Sequence, residues 1–234
     1  MGQEQKISLA LSFVSGFIDT AGFIALFGLF TAHVTGNLVL AGAAVFEHNA
    51  MDNIAGKLLM LPVFVAGVIL CSYLIKYRRA TLSNLVFAQA IFIFCFSIAG
   101  AAFIDKTSVP SNAVMSFIAS FAVIGMSIQN TYMRKLLNHY TPNTVMTGNF
   151  TQFSIDLFNL ADHAINRQVN KDELSLRLSI ASLKKVSLAL LGFLSGCGIG
   201  ALLVNSNGLI CCLLPAFILL WVRTQLEPLV IYKA

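Results

Sequence analysis

Six apolar stretches, each long enough to cross a lipid bilayer, constrain the fold of this chain more than any other feature. Scanning between charged residues places them at 7–30, 58–75, 80–104, 112–133, 186–204 and 205–222. A membrane-spanning helix needs about 20 mostly apolar residues. Of the 234 residues, 57% are hydrophobic and only 11% are charged, too few to coat a soluble domain. The sequence therefore predicts an all-α polytopic membrane protein with a single membrane domain, 1–234, and excludes a cytosolic enzyme and a disordered chain.

The positions of Lys and Arg predict the orientation of these spans, because cytoplasmic loops carry an excess of both. With the N-terminus inside, 13 of the 15 Lys and Arg residues fall on the cytoplasmic side. Only Lys57 and Lys106 are left outside. We therefore expect both termini in the cytoplasm, with the polar segment 162–182 as a cytoplasmic loop.

Three features recur in the same order in the two halves of the chain, which indicates an internal repeat. The matched pairs are Thr35-Gly36-Asn37 with Thr147-Gly148-Asn149, Gly16 and Asp19-Thr20 with Gly125 and Gln129-Asn130, and the F-x-x-G of Phe64 with that of Phe193. Each half, 7–104 and 112–222, contains three spans. Because three is an odd number of crossings, the sequence predicts two inverted three-helix repeats.

Each Thr-Gly-Asn box is followed by an apolar segment, 34–46 or 145–161, which we interpret as a half-helix beginning at the box. Thr and Asn are favoured at helix starts, where unpaired N–H groups and the positive end of the helix dipole favour polar or anionic ligands. Paired half-helices of this kind recur in transporters. The alternative is structural: the boxes only cap helices, and their glycines let helices pack closely.

Asp19 is the one acidic residue well inside an uninterrupted apolar span. A charged side chain at that depth is costly, so it should face the protein interior and be paired, protonated or solvated. This makes Asp19 a candidate for proton coupling, with a structural tie between helices as the alternative. Gln129 and Asn130 occupy the matching region of the second half, and His33, beside the first box, could exchange protons near neutral pH.

The sequence predicts no metal site, no cofactor and no enzymatic activity. No ligand-spaced His or Cys cluster occurs, and no nucleophile–base motif is present. The five cysteines have no C-x-x-C spacing, so we interpret them as small core residues. No stretch combines dense basic residues with aromatic ones, so nucleic acid is not an expected partner.

The ordered set of motifs resembles the YoaK-type family of bacterial multipass membrane proteins. The resemblance rests on Gly16-x-x-Asp19-x-x-Gly22-Phe23, the Thr-Gly-Asn box, Gln129-Asn130 followed by Arg134, the second Thr-Gly box, and the span with Gly196 and Gly200. It covers roughly residues 7–222. It implies a bacterial inner-membrane protein of about six helices.

Taken together, these features predict a membrane transporter of a small polar or anionic solute, with proton coupling as an open option. The central site would lie at the repeat interface and contain Asp19, Thr20, His33, Thr35, Gly36, Asn37, Gln129, Asn130, Thr147, Gly148 and Asn149. Two alternatives remain open: an aquaporin-like or anion-channel-like pore, and a non-transporting membrane scaffold. Expected partners are the lipid bilayer and a small polar solute or ion, and homo-oligomerisation is left open.

Overall fold

The chain folds into eight α-helices and one 3₁₀ segment over the residues that the computed structural model describes, namely 2–47, 54–104, 110–143, 145–165 and 173–231. The elements in chain order are α1 (Gln3–Ala25), α2 (Val34–Glu47), α3 (Ile54–Tyr77), α4 (Leu82–Phe103), α5 (Asn112–Lys135), α6 (Met146–Ile165), α7 (Glu173–Asn207), the 3₁₀ segment Gly208–Cys212 and α8 (Leu213–Ile231). Within these residues there is no β-strand.

Local sequence explains where several helices stop and start. After α1 the chain reverses through Phe27 and Gly28, both of which have positive φ. Gly28, with no Cβ, adopts this conformation without steric cost. Thr81 and Ser111 cap α4 and α5, each accepting a hydrogen bond from a first-turn backbone N–H. Gly208, at φ +64°, ends the 35-residue α7.

Helix α1 packs most extensively against α7, and three glycines on α7 make this possible. A Cβ on Gly192, Gly196 or Gly200 would collide with the backbone carbonyl of Leu9, Phe13 or Phe17, respectively. Small residues let membrane helices approach this closely. Residue numbers increase together along the two contacting helices, from Gly192 with Leu9 to Gly200 with Phe17, so α1 and α7 run parallel.

The main helix contacts cross between the two halves of the chain. Helix α1 packs between α7 and α8 of the second half, and α5 packs between α3 and α4 of the first half. The short α2 lies against α3, and α6 lies against α7 in the equivalent way. Contacts between α4 and α8 join the two groups.

Helix α8 runs back along α1 and α4, so α7 and α8 form an antiparallel pair. At the end of α8, Gln225 O accepts a hydrogen bond from Gln3 Nε2, and Arg223 Nε donates to Ser83 Oγ at 3.3 Å. At the opposite end, Ser97 Oγ of α4 donates to the carbonyl of Leu209 in the 3₁₀ segment at 2.9 Å.

Among the described residues, five helical stretches are long and apolar enough to cross a membrane: Gln3–Ala25, Ile54–Tyr77, Leu82–Phe103, Asn112–Lys135 and the continuous stretch Glu173–Leu226. The predicted span 7–30 is too long at its end, because the chain reverses after Ala25. The predicted start of the last span at 205 is also wrong, since α7 continues to Asn207 and α8 begins at Leu213.

A helix begins at each Thr-Gly-Asn box, as predicted: α2 has 14 residues, and α6, with 20 residues, is longer than the predicted segment 145–161. The predicted loop 162–182 is mostly helical instead, because α6 continues to Ile165 and α7 already begins at Glu173. The intervening residues 166–172 lie outside the described part of the chain.

Candidate functional site

The buried Asp19 carboxylate fixes the loop that leads into α2. Its Oδ1 accepts hydrogen bonds from the backbone N–H groups of Thr31 at 2.8 Å, Ala32 at 2.7 Å and His33 at 3.3 Å. Its Oδ2 lies 2.6 Å from Nδ1 of the His33 ring. Asp19 is therefore paired, one of the three states that its position in an apolar span allows.

This anchor requires a close approach between α1 and the loop, and a glycine provides the space. A Cβ on Gly22 would lie 2.6 Å from the Thr31 side chain. Thr31 is fully buried, and its hydroxyl also donates to the carbonyl of Ile18 at 3.2 Å. The Gly22 of the family-like motif thus supports the same loop as Asp19.

Asn37, in the first turn of α2, holds the loop from the other side. Its Oδ1 accepts from the backbone N–H of Phe30 and its Nδ2 donates to the Phe30 carbonyl, both at 2.8 Å. The predicted capping role of the box is therefore replaced by a clamp on the residue seven positions earlier. Thr35 is exposed, and Gly36 leaves room for the Phe30 ring, which would lie 2.8 Å from a Cβ at that position.

A pocket of about 440 Å³ lies beside the Asp19–His33 pair, between α1, the start of α2 and α7. It is lined by Asp19, Thr20, Phe23, Phe30, His33, Gly36, Phe193 and Cys197. This volume is typical of small-molecule sites. Four of the predicted site residues, Asp19, Thr20, His33 and Gly36, are thus brought together.

The aromatic walls of this pocket, and Cys197, were missed by the sequence prediction. Phe23 and Phe30 pack with their ring centroids 4.6 Å apart. The Phe193 and His33 rings meet edge to face, with their centroids 5.6 Å apart. Cys197 had been interpreted as a core residue, yet it is only partly buried and lies beside Thr20. Its position one turn after Phe193, on the same face of α7, was the available signal.

Gln129 does not line this pocket. Its Oε1 accepts from Gln89 Nε2 at 2.5 Å, and its Nε2 donates to the Leu11 carbonyl of α1 at 2.9 Å. Tyr132 completes the network by donating to Gln89 Oε1 at 2.7 Å. Gln129 thus joins α1, α4 and α5 in a buried polar network. Gln89 was missed, although an amide in the apolar stretch 80–104 was a usable signal.

The neighbouring Asn130 also stays apart from the Asp19 pocket. Its side-chain Nδ2 donates to the Met126 carbonyl, one turn earlier in α5, at 3.1 Å. The Asn130 side chain therefore does not contact the Asp19–His33 pair.

The second box occupies the start of α6 and does not join the Asp19 pocket either. Asn149 Nδ2 donates to the Pro142 carbonyl at 2.5 Å, again seven residues earlier, whereas Thr147 and Gly148 are exposed. Nearby, Asn143 is fully buried, and neither of its side-chain polar atoms has a hydrogen-bond partner within the described residues. The two boxes therefore do not form the single predicted site. The start of α6 packs against Val186 and Leu190 of α7, whereas the Asp19 pocket lies further along α7, at Phe193 and Cys197.

Phe193 nevertheless links the surroundings of the two boxes. It packs against the cluster of Met146, Val186 and Leu190, of which the last two lie on its own helix α7, and its ring meets His33 just before α2.

A second, much smaller cavity of about 40 Å³ lies at the N-terminal end of α1. Glu4, Ser8, His139, Tyr140 and Lys185 are among the residues that line it. Burial, with a smaller contribution from Glu4, raises the pKa of Tyr140 to about 12, so its phenol stays neutral at physiological pH. A cavity of this size holds only a few water molecules.

The part of the chain that the structure describes contains no group of three or more His, Cys, Asp or Glu residues arranged to hold a metal ion. The paired Asp19 and His33 do not form such a set.

Apolar helices of membrane-spanning length, with a buried carboxylate–imidazole pair among them, define a polytopic helical membrane protein. The chain belongs to the family described as "Protein of unknown function (DUF1275)", which matches residues 7–224. It is similar to the UPF0700 transmembrane protein YoaK of Bacillus subtilis (strain 168), with 28% identity over 149 residues. That match covers 63% of this chain and 64% of the relative's length. No solved structure matches the chain.

Proposed function

We propose that this membrane protein transports a small polar or anionic solute, which it carries without changing it chemically. The observation that carries the proposal is the buried Asp19 carboxylate, paired with a half-buried His33 that opens to a pocket of about 440 Å³. Ionisable residues within membrane segments are costly and commonly mark solute or proton pathways. The pocket adjoins a break between a long helix and a half-helix, a frequent location of transporter sites.

The contacts between helices support the proposal of two inverted repeats. If α1 to α4 correspond to α5 to α8, the pairing of α1 with α7 matches that of α5 with α3, and α2 with α3 matches α6 with α7. The asparagine clamps match as well, since Asn37 and Asn149 each bond a carbonyl seven residues earlier. In this proposal α1, α3, α4, α5, α7 and α8 form six crossings, and α2 and α6 enter without crossing.

The distribution of charge supports a cytoplasmic location for both termini. The Gln3–Gln225 and Arg223–Ser83 contacts place the start of α1 and the end of α8 at the same end of the molecule as the α3–α4 turn. His139 and Tyr140, just after α5, line a cavity with Glu4 of α1 at this end. The basic residues at this end are Lys6, Lys76, Arg78, Arg79, Arg134, Lys135, Lys184, Lys185 and Arg223. The positive-inside rule assigns such an end to the cytoplasm, here of a bacterial inner membrane.

Proton coupling would run through His33 in this proposal. The three backbone donors and the His33 ring already satisfy Asp19, whereas His33 is 31% exposed and the pocket side of its ring is open. An imidazole changes charge near neutral pH. His33 would therefore gain and lose the coupled proton, and Asp19 would hold it in position.

A channel is the second candidate, and the location of Phe193 favours it. Phe193 meets His33 just before α2 and packs against the cluster that includes Met146 of α6, so movement of this one ring would connect the two regions. A channel only equilibrates its solute, whereas a coupled transporter accumulates it.

Uptake by purified protein in lipid vesicles tests the proposal. A panel of radiolabelled amino acids and hydrophilic carboxylates would be offered with and without an inward proton gradient. We expect at least one solute to accumulate above its equilibrium level only with the gradient. Equilibration alone would favour the channel, and the absence of protein-dependent entry for the whole panel would favour a scaffold.

A further inference from the structure

We propose that the Asp19 pocket binds a small organic carboxylate with an aromatic or similarly flat apolar body. This inference rests on the proposed function, because it names the class of solute for the same pocket. Three features of the pocket support the inference: the occupied oxygens of Asp19, the free edge of the His33 ring and the aromatic walls.

Asp19 is not available to bind a cationic solute. Its Oδ1 is used by the backbone N–H groups of Thr31 and Ala32, and its Oδ2 is paired with His33 Nδ1. A positively charged ligand would have to displace these donors from a residue that is 4% exposed. The buried acidic residue thus gives the pocket no free negative charge.

His33 supplies the polar contact for the ligand. With Nδ1 held by Asp19, the other ring nitrogen, Nε2, has no hydrogen-bond partner among the described residues, and the ring lines the pocket. In its protonated form the ring donates from both nitrogens, one bond to Asp19 and one to an incoming carboxylate. The backbone donors compensate the Asp19 charge, so the imidazolium can attract a second anion. The hydroxyl of Thr20, in the same wall, can donate a further bond.

The remaining walls fit an apolar body. Phe23, Phe30 and Phe193 present aromatic surfaces to the pocket, with Gly36 between them. Aromatic rings prefer offset or edge-to-face contacts with other rings, which this arrangement allows on more than one side. A hydrophilic anion such as phosphate would leave these walls unmatched.

Ligand binding should follow the protonation of His33. The other ionisable groups facing this ring are Asp19 from α1 and Cys197 from α7. As the pH rises through the histidine range, the imidazole loses the proton that the carboxylate needs. The hydrogen bond to Asp19 raises the pKa of His33 above its usual value. The carboxylate should consequently bind with the uptake of one proton, and binding should weaken as the pH rises above neutrality.

Thermal-shift and calorimetric titrations of the purified full chain in detergent test this inference. The probes are benzoate, its neutral analogue benzamide and the cation benzylamine. We expect saturable binding of benzoate, at least about tenfold tighter at pH 6 than at pH 9, and no saturable binding of the other two. Equal binding of benzamide, tighter binding of benzylamine, or no binding of benzoate would overturn the inference.

Substitutions in the pocket wall test whether benzoate binds in the Asp19 pocket. His33→Gln and Phe193→Ala should each weaken benzoate binding at least about tenfold, whereas Phe217→Ala, an exposed phenylalanine of α8, should leave it unchanged. Thr20→Val, which leaves the Asp19 anchor intact, provides a second polar test if His33→Gln does not fold. Unchanged binding in both Thr20→Val and Phe193→Ala would place benzoate elsewhere and overturn the inference.

The vesicle experiment separates failure of this inference from failure of the transport proposal. Benzoate binding without uptake of any solute would retain the site and reject transport. Uptake of a solute without any benzoate binding would retain transport and reject the class of carboxylates with an aromatic body.

Discussion

At the scale of single residues, Asp19 combines two roles that the sequence presented as alternatives. It ties the loop at residues 31–33 to α1, and it holds the ring of His33 against a pocket. A buried residue with a purely structural role would not need a partner that remains partly exposed. The tie therefore positions the group that we propose to bind solute.

Replacing Asp19 with Asn should lower stability without preventing folding. An amide oxygen can still accept from the loop N–H groups, but the charge-assisted part of those bonds is lost, which costs about 1–3 kcal/mol. Thermal unfolding in detergent measures this change. Thr20→Val, next to Asp19 but outside the anchor, should change stability much less. An Asp19→Asn variant as stable as the native protein would show that the anchor contributes little.

The same substitution should remove the proton dependence of uptake. With a neutral amide beside it, His33 loses the carboxylate that stabilises its protonated form. Solute uptake should then no longer increase with an inward proton gradient. Full proton-driven uptake by a stable Asp19→Asn variant would contradict the proposed coupling through this pair.

The sequence indicated which residues are unusual more readily than it indicated their partners. Asp19 and His33 stand out because polar groups are rare in apolar spans, and His33 adjoins a recognisable box. Their contact depends on a chain reversal after Ala25, which the uninterrupted apolar pattern to residue 30 concealed. The contribution of Phe193 and Cys197 depends on the packing of α7 against α1, a long-range contact that residue spacing alone does not specify.

At the scale of helices, the close contact between α1 and α7 gives a matched pair of glycine substitutions. Gly196→Ala would force a Cβ into the Phe13 carbonyl and push the helices apart. We expect a loss of about 1–3 kcal/mol, the usual range for overpacking. Gly198→Ala lies on the same helix with nothing within 4 Å of its Cβ, so it should be neutral or gain up to about 1 kcal/mol. Similar melting temperatures for the two variants would contradict the observed α1–α7 contact.

Phe193→Ala should increase leakage between the two half-helix regions. Removing the ring takes away a side chain that meets His33 and also packs against the Met146 cluster. We expect faster solute exchange across vesicle membranes and weaker accumulation, measured as tracer efflux. Phe217→Ala is the control, and unchanged efflux in Phe193→Ala would show that this ring does not separate the two regions.

The helices themselves were predictable where an apolar pattern or a local signal defines them. Helices begin at both boxes, as expected, with Val34 and Met146 each directly preceding Thr-Gly-Asn. The long α7 was not predicted, because its first turns, including Arg177 and Lys184, are polar and resemble a loop. These first turns of α7 pack beside α6, where Asn159 Nδ2 donates a hydrogen bond to Ser179 Oγ at 3.3 Å.

At the scale of the whole molecule, the proposed topology can be tested by labelling from outside the cell. A single cysteine introduced at position 170, between α6 and α7, should be protected from a membrane-impermeant reagent in intact cells. One introduced at position 50, between α2 and α3, should react. Labelling at position 170 but not at 50 would require the opposite orientation of the protein.

The proposed function requires that solute reach the Asp19–His33 pocket from the aqueous phase, and Cys197, which lines this pocket, can report that access. In a variant retaining Cys197 but lacking Cys71, Cys95, Cys211 and Cys212, a charged methanethiosulfonate reagent would be applied to right-side-out and inside-out vesicles. We predict modification of Cys197 from both faces, slowed by benzoate. Reaction with a lipid-soluble maleimide alone, with no modification by the charged reagent from either face, would contradict the claim, because the pocket would then open to lipid and not to solute.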